Sequence, residues 1–159
     1  MRNDDLAMAV RLREEGRKEE ARTALLALAE RYPDDAEVAC HTAWVHDSLG
    51  LEAEAVPYYE RALAGDGLTP GDRLGAFTGL GSTLRVLGRV AESRALFRRA
   101  LEEFPGDPGL RVFEAMALYN AGESREAVSA LLKLLVEAGH VGGYERAVAY
   151  YADNLDETV

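Results

Sequence analysis

The sequence predicts an all-α fold, a stack of four helix–turn–helix units closed by a ninth helix. Two sets of observations carry this. The first is a ruler. Gly16, Gly50, Gly88 and Gly122 fall 34, 38 and 34 residues apart. Seven residues before each glycine sits a small residue (Ala9, Ala43, Gly81, Ala115), and five after it sits another (Ala21, Ala55, Ser93, Ala127). Nine after it the residue is large (Leu25, Tyr59, Phe97, Leu131). Small residues in register let two helix backbones approach, and the large one fills the gap between units. The second is a set of helix-start signals at Asp34-Asp35, Thr69-Pro70 and Asp107-Pro108. There a side-chain oxygen can take a free backbone N–H, and proline suits the first helical position because its missing N–H is not needed.

The elements follow in order. A first helix is expected from about Asp4 to Glu15 and a second from Lys18 to Tyr32, each with apolar residues at helical spacing. Pro33-Asp34-Asp35 closes that unit and caps the next. Helices at about Ala36–Leu49 and Leu51–Ala64 come next, and Pro57 inside the latter predicts a bend. Residues 65–69 form the longest loop and account for the extra residues in the 38-residue interval. The stretch Thr69 to Pro105 holds two helices, Pro70–Leu87 and Arg89–Phe104, joined at Gly88. Leu74, Phe77, Leu80 and Leu84 recur along the first of them, and a glycine such as Gly88 can take the left-handed conformation that ends a helix. Asp107-Pro108 opens a helix to Asn120, and Glu123–Ala138 follows. Gly139-His140-Val141-Gly142-Gly143 is a flexible joint. The ninth helix spans about Tyr144–Leu155. Its residues Tyr144, Ala147, Val148, Tyr151, Ala152 and Leu155 form one apolar stripe, expected to cover the open face of the last unit as a terminal cap. The competing reading is a detachable tail.

A 34-residue period with this pattern resembles the tetratricopeptide repeat, over roughly Asn3 to Ala138. The third copy matches best, with Phe77, Leu80-Gly81, Leu84, Phe97, Ala100 and Pro105 at family positions. The first copy lacks the large aromatic near its start. His46 stands where Tyr or Leu is usual, Ser93 replaces alanine, and the fourth copy ends without proline. The segments AWVHDSLGLEAEAVPYYERAL, GSTLRVLG, LRVFEAMALYNAGE and YYADNLDE are similar to the small bacterial group 5 family of these proteins. The resemblance implies a right-handed solenoid forming a single domain over 1–159. Its repeats are expected at about 3–33, 36–67, 74–105 and 108–139, with a capping helix at about 144–155. It implies protein binding and no assigned catalytic activity.

Composition narrows the function classes. The 159 residues carry a formal net charge of −10. A nucleic-acid binder needs a basic stripe to replace phosphate counterions, so the acidic balance argues against that role. Cys40 is the only cysteine, which rules out a disulfide within the chain. The charged start, MRNDDLAMAVRLREEG, lacks a signal-peptide core, and the longest apolar run, near Ala24–Ala29, is far shorter than a membrane span. The expectation is a soluble, cytoplasmic, bacterial protein with no membrane contact.

No catalytic, metal or cofactor constellation is expected. His41 and His46 lie five apart on one helix, which turns them in different directions. His46 falls where a repeat's two helices pack and reads as a satisfied core histidine. Cys40 has no neighbour that would lower its pKa, so an inert thiol is expected. Gly65-x-Gly67-x-x-x-Gly71 lacks the strand and the lysine–serine pair of a phosphate loop.

The resemblance places the first helix of each unit on a concave groove. This selects Leu6, Val10 and Arg13, then His41, Trp44, Asp47 and Ser48, then Thr78, Ser82 and Arg85, then Phe113, Met116, Tyr119 and Asn120. Independently, His41, Trp44 and Ser48 form an i, i+3, i+7 stripe, and Thr78, Ser82 and Arg85 form an i, i+4, i+7 stripe. Trp, Tyr and Arg dominate binding energy at interfaces. The alternative is that Trp44, Phe113 and Met116 pack on neighbouring helices or under the ninth helix. The carboxylate clamp of chaperone-binding relatives is absent, since its places hold Leu6, Val10, His41, Gly75 and Gly79. The expected function is a non-catalytic module that binds a peptide or partner helix, neutral or basic in charge. The alternative is a self-associating homodimer joined through Tyr144, Tyr150 and Tyr151.

Overall fold

The computed structural model describes residues 1–158. Among them are nine α-helices and no strands: α1 (Arg2–Glu14), α2 (Lys18–Arg31), α3 (Ala36–Ser48), α4 (Glu52–Leu63), α5 (Pro70–Val86), α6 (Val90–Glu103), α7 (Pro108–Asn120), α8 (Ser124–Glu137) and α9 (Glu145–Ala152). The chain divides into two compact units, Met1–Arg89 and Val90–Val159. The division falls inside the Thr69–Pro105 stretch, so α5 belongs to the first unit and α6 to the second.

Local chemistry sets the helix ends. Asp35, Thr69 and Asp107 accept the N–H groups of Val38, Asp72 and Leu110 at 3.0, 3.1 and 2.9 Å. Pro70 and Pro108 stand at the first helical positions beside two of these caps. At the other end, one hydrogen-bond pattern recurs. Gly16, Gly50, Gly88 and Gly122 have φ of 83°, 72°, 79° and 81°, a region that favours glycine. Each donates to the carbonyl three residues back, and the next residue donates five back: Arg17 to Leu12, Leu51 to His46, Arg89 to Leu84, Glu123 to Leu118. This paired closure satisfies the last free carbonyls of a helix and reverses the chain. A fifth copy ends α8, where Gly139 donates to Val136 and His140 to Leu135. Pro57 sits on the exposed side of α4, which runs unbroken through it.

In the first unit, Leu6, Ala9, Ala21, Leu25, Leu28 and Val38 form one buried cluster with Val45. Ala43, Ala55, Tyr59, Phe77, Leu80 and Leu84 continue the buried set through α3, α4 and α5. In the second unit, Phe97, Ala100, Leu110, Ala115 and Ala117 are buried. The small residues on the ruler are all buried, and so are Leu25, Tyr59 and Phe97. Leu131 is the exception at 38% exposed, so it does not fill an inter-unit gap.

The ninth helix differs from its expectation. It is shorter at the C-terminal end, stopping at Ala152. Of its apolar stripe, Ala152 is buried and Val148 and Leu155 are partly buried, but Tyr144 is 70% and Tyr151 52% exposed, and Ala147 is exposed too. Eight residues give barely two turns, so only one edge of α9 reaches α8. Lys133 to Asp153 (2.6 Å) and Arg125 to Asp156 tie the two segments at the surface.

Candidate interaction surface

The first unit carries a built cluster where α1, α3 and α5 meet. Trp44 is partly buried. Its ring lies so close to α5 that a Cβ on Gly75 would stand 3.0 Å from its Cζ2. The Arg13 guanidinium, from α1, sits 5.4 Å above the Trp44 ring centre, where the ring's negative face attracts a cation. The His41 ring meets Trp44 edge-on at 5.1 Å and 83°. Arg13 Nη1 donates to His41 Nδ1 at 3.2 Å. Burial, and then the charge of Arg13, push the His41 pKa below its usual value. His41 is therefore neutral at neutral pH and its Nδ1 can accept. Beside the cluster, His41 also lines an open depression of about 560 Å³ on α1 and α3, together with Arg2, Leu6, Val10 and Glu37. Arg2 closes one side, pairing with Asp35 and Glu37 at 2.7 and 2.8 Å.

The other α3 residues have separate duties. Asp47 accepts from Tyr59 Oη at 2.5 Å, and both of its oxygens accept from Thr83 Oγ1, at 2.8 and 2.9 Å. Burial outweighs these bonds and holds its pKa above the usual carboxyl value. Asp47 thus links α3, α4 and α5. Ser48 is exposed, its hydroxyl bonded to the Val45 carbonyl. Ser82 and Arg85 are partly buried on α5, and Thr78 Oγ1 bonds back to Leu74. His46 is buried: Nδ1 donates to the Thr42 carbonyl at 2.7 Å, Nε2 accepts from Arg22, and the ring stacks on Tyr58. Cys40 is buried, and its thiol pKa is pushed up to about 12 by desolvation and by Asp72.

In the second unit, Phe113 is partly buried and stacks on Phe97 at 6.5 Å and 23°. Phe113 therefore packs on a neighbouring helix. Met116, Tyr119 and Asn120 stand out from α7, with Met116 37% and Tyr119 66% exposed. Two features have no sequence signal: the Asp47–Tyr59–Thr83 network and the clasp of Arg2 on Asp35 and Glu37. Both join residues a dozen or more positions apart. Among the described residues no His, Cys, Asp or Glu cluster could hold a metal ion, and no helix is long and apolar enough to cross a membrane.

Paired helices, repeated closures and in-register small residues define a helical repeat protein. Comparison with known proteins makes the class specific. A family model described as Tetratrico peptide repeat matches residues 36–155, and a second, Tetratricopeptide repeat, matches residues 6–35. The chain belongs to the tetratricopeptide repeat family. Such repeats generally mediate protein–protein interaction.

Two curated relatives match part of it. Cellulose synthase operon protein C of Komagataeibacter xylinus is 33% identical over 69 residues, 43% of this chain and 5% of that protein. An uncharacterized protein of Aquifex aeolicus is 37% identical over 62 residues, 39% of this chain and 8% of that protein. The chain thus spans under a tenth of either relative. A solved structure of Pseudomonas aeruginosa pilF aligns over 97% of this chain and 89% of that one, at 15% identity and a TM-score of 0.41.

Proposed function

We propose that this protein is a non-catalytic interaction module whose α1–α3–α5 face takes a peptide segment or a partner's helix. One observation carries the reading: an aromatic and cationic cluster, Arg13–His41–Trp44, pre-organised beside an open depression. Aromatic and arginine side chains held rigidly before binding lose little entropy when a partner arrives. Ser48, Ser82 and Arg85 extend the face with polar groups. Met116 and Tyr119 offer a separate contact surface on α7. The formal charge of −10 favours a partner that is neutral or basic overall.

Affinity capture from native lysate, using wild type and the Trp44→Ala/Arg85→Ala double variant, tests this. The variant should lose the captured partner while its far-UV circular dichroism stays helical. Retained capture refutes the site. A second reading, self-association through α9, is favoured by the exposure of Tyr144, Tyr150 and Tyr151. Light scattering decides it, since a monomer mass at all concentrations removes it.

A further inference from the structure

We propose that Arg13 is the anchor for one carboxylate of the bound segment, an inference that rests on the interaction reading above. The observation is an imbalance. Among the partly buried arginines, Arg2, Arg94 and Arg111 each hold a carboxylate: Asp35 with Glu37, Glu123 and Glu137 respectively. Arg13 is also partly buried, yet among the described residues no carboxylate lies within ion-pairing reach of it. A guanidinium has five N–H donors and cannot shed its proton. One donor is used, on His41 Nδ1. The Trp44 ring and the imidazole flank the guanidinium, and neither brings a negative charge to compensate it.

A carboxylate suits that fork better than other anions. Its two oxygens match the fork bidentately. Its single charge balances a single guanidinium, because neutral His41 adds none and the Arg2 charge is already met by Asp35 and Glu37. The neighbouring depression is lined by two arginines, Arg2 and Arg11, and two carboxylates, Glu14 and Glu37, so it adds no net positive charge to balance the second charge of a phosphate dianion. A neutral or basic segment still suits the chain as a whole. The structure assigns it one Glu, Asp or terminal carboxylate in register with Arg13, and apolar groups toward Val10.

Trp44 is the only tryptophan, so its indole N–H gives one NMR signal beside the site. The probes are N-acetyl-glutamate methylamide, its glutamine isostere and N-acetyl-phosphoserine methylamide. The glutamate probe should move the Trp44 signal saturably. The glutamine probe should bind about tenfold or more weakly, the scale of one charge-assisted bond lost. Arg13→Gln should abolish the difference, and Arg13→Lys, which keeps the charge without the fork, should retain only part of it. Near-UV circular dichroism of both variants verifies that Trp44 stays packed. Equal response to glutamate and glutamine, an unchanged response in Arg13→Gln, or tighter binding of phosphoserine overturns the proposal. The titration needs no natural partner, so failure of the capture experiment leaves its result intact. Conversely, a captured partner lost by Trp44→Ala/Arg85→Ala but kept by Arg13→Gln sinks the carboxylate anchor alone.

Discussion

Three glycines on α5 offer a graded test of how closely the helices of the first unit approach. A Cβ on Gly79 would collide with Tyr59 Oη and lie 2.6 Å from Cζ and 2.9 Å from Cε1, all well inside carbon contact distance of about 3.5–4.0 Å. The Tyr59 ring cannot swing aside, because it is buried and its hydroxyl is held by Asp47. Gly79→Ala must therefore move α4 from α5 or drive Tyr59 off Asp47. Overpacking of this kind costs about 1–3 kcal/mol, and a lost bond to a carboxylate adds about 1.5–3. Better helix propensity returns about 0.5–1 kcal/mol. The net loss should be about 2–5 kcal/mol. Gly75→Ala touches only Trp44 Cζ2, at 3.0 Å, and should cost about 1 kcal/mol or less. Gly71→Ala meets nothing within 4 Å and should be neutral or slightly stabilising. Urea unfolding followed by Trp44 fluorescence measures all three, since the single tryptophan lies in this unit. A shifted midpoint at constant slope identifies a change of stability. Tyr59→Phe in the Gly79→Ala background should rescue only partly, because Cζ remains in the way. A Gly79→Ala protein as stable as Gly71→Ala would refute the close approach.

Three further outcomes follow from the same structure. Asp35→Ala should cost about 1–2 kcal/mol by removing a cap and an ion pair, whereas Asp35→Asn keeps the cap and should lose about 1 kcal/mol or less. Burial raises the Asp35 pKa, but the Arg2 and Val38 bonds outweigh it and hold it low. Its stabilisation is thus present above the ordinary carboxyl pKa and lost as pH falls through the lowered native value, which pH-dependent melting of wild type against Asp35→Asn will show. Asp47 has the opposite sign. Its native pKa is raised, so its contribution is fully present below the ordinary value and lost as pH rises through the native one, and Asp47→Asn should remove that slope. Deleting residues 144–159 should lower stability by only about 1–3 kcal/mol, since one edge of α9 is covered. Urea unfolding by far-UV circular dichroism checks this, and a collapse of the whole helical signal would refute it.

What the sequence made legible was what short-range physics decides. Caps at Asp35, Thr69 and Asp107, and closures at Gly16, Gly50, Gly88 and Gly122, each depend on about six neighbouring residues, so their signals survive in one sequence. The small-residue ruler was legible for another reason. It repeats, and the buried alanines confirm a spacing that chance would not reproduce. The face was legible only as a stripe. His41 and Trp44 share one, and the structure puts both in the cluster. Asp47 follows the same positional rule, yet it spends both oxygens on Tyr59 and Thr83. Those partners lie 12 and 36 residues away, and nothing local to Asp47 predicts them.

Leu131 and α9 show where a periodic argument must end. Leu25, Tyr59, Phe97 and Leu131 occupy one offset, but an offset records only the chain's own geometry. Burial also needs a neighbour, and in a repeat array the neighbour is supplied by the next unit. For α8 the element that follows is an eight-residue helix rather than a full pair. Val128, Leu131 and Leu135 therefore stay more than a third exposed despite a pattern as regular as that of the preceding helices. The stripe on α9 fails for the same reason: its spacing is helical, but two turns offer too short an edge to bury Tyr144 and Tyr151 together with Ala152. Periodicity thus establishes which residues share a face, and the length of the adjoining element decides whether that face is covered.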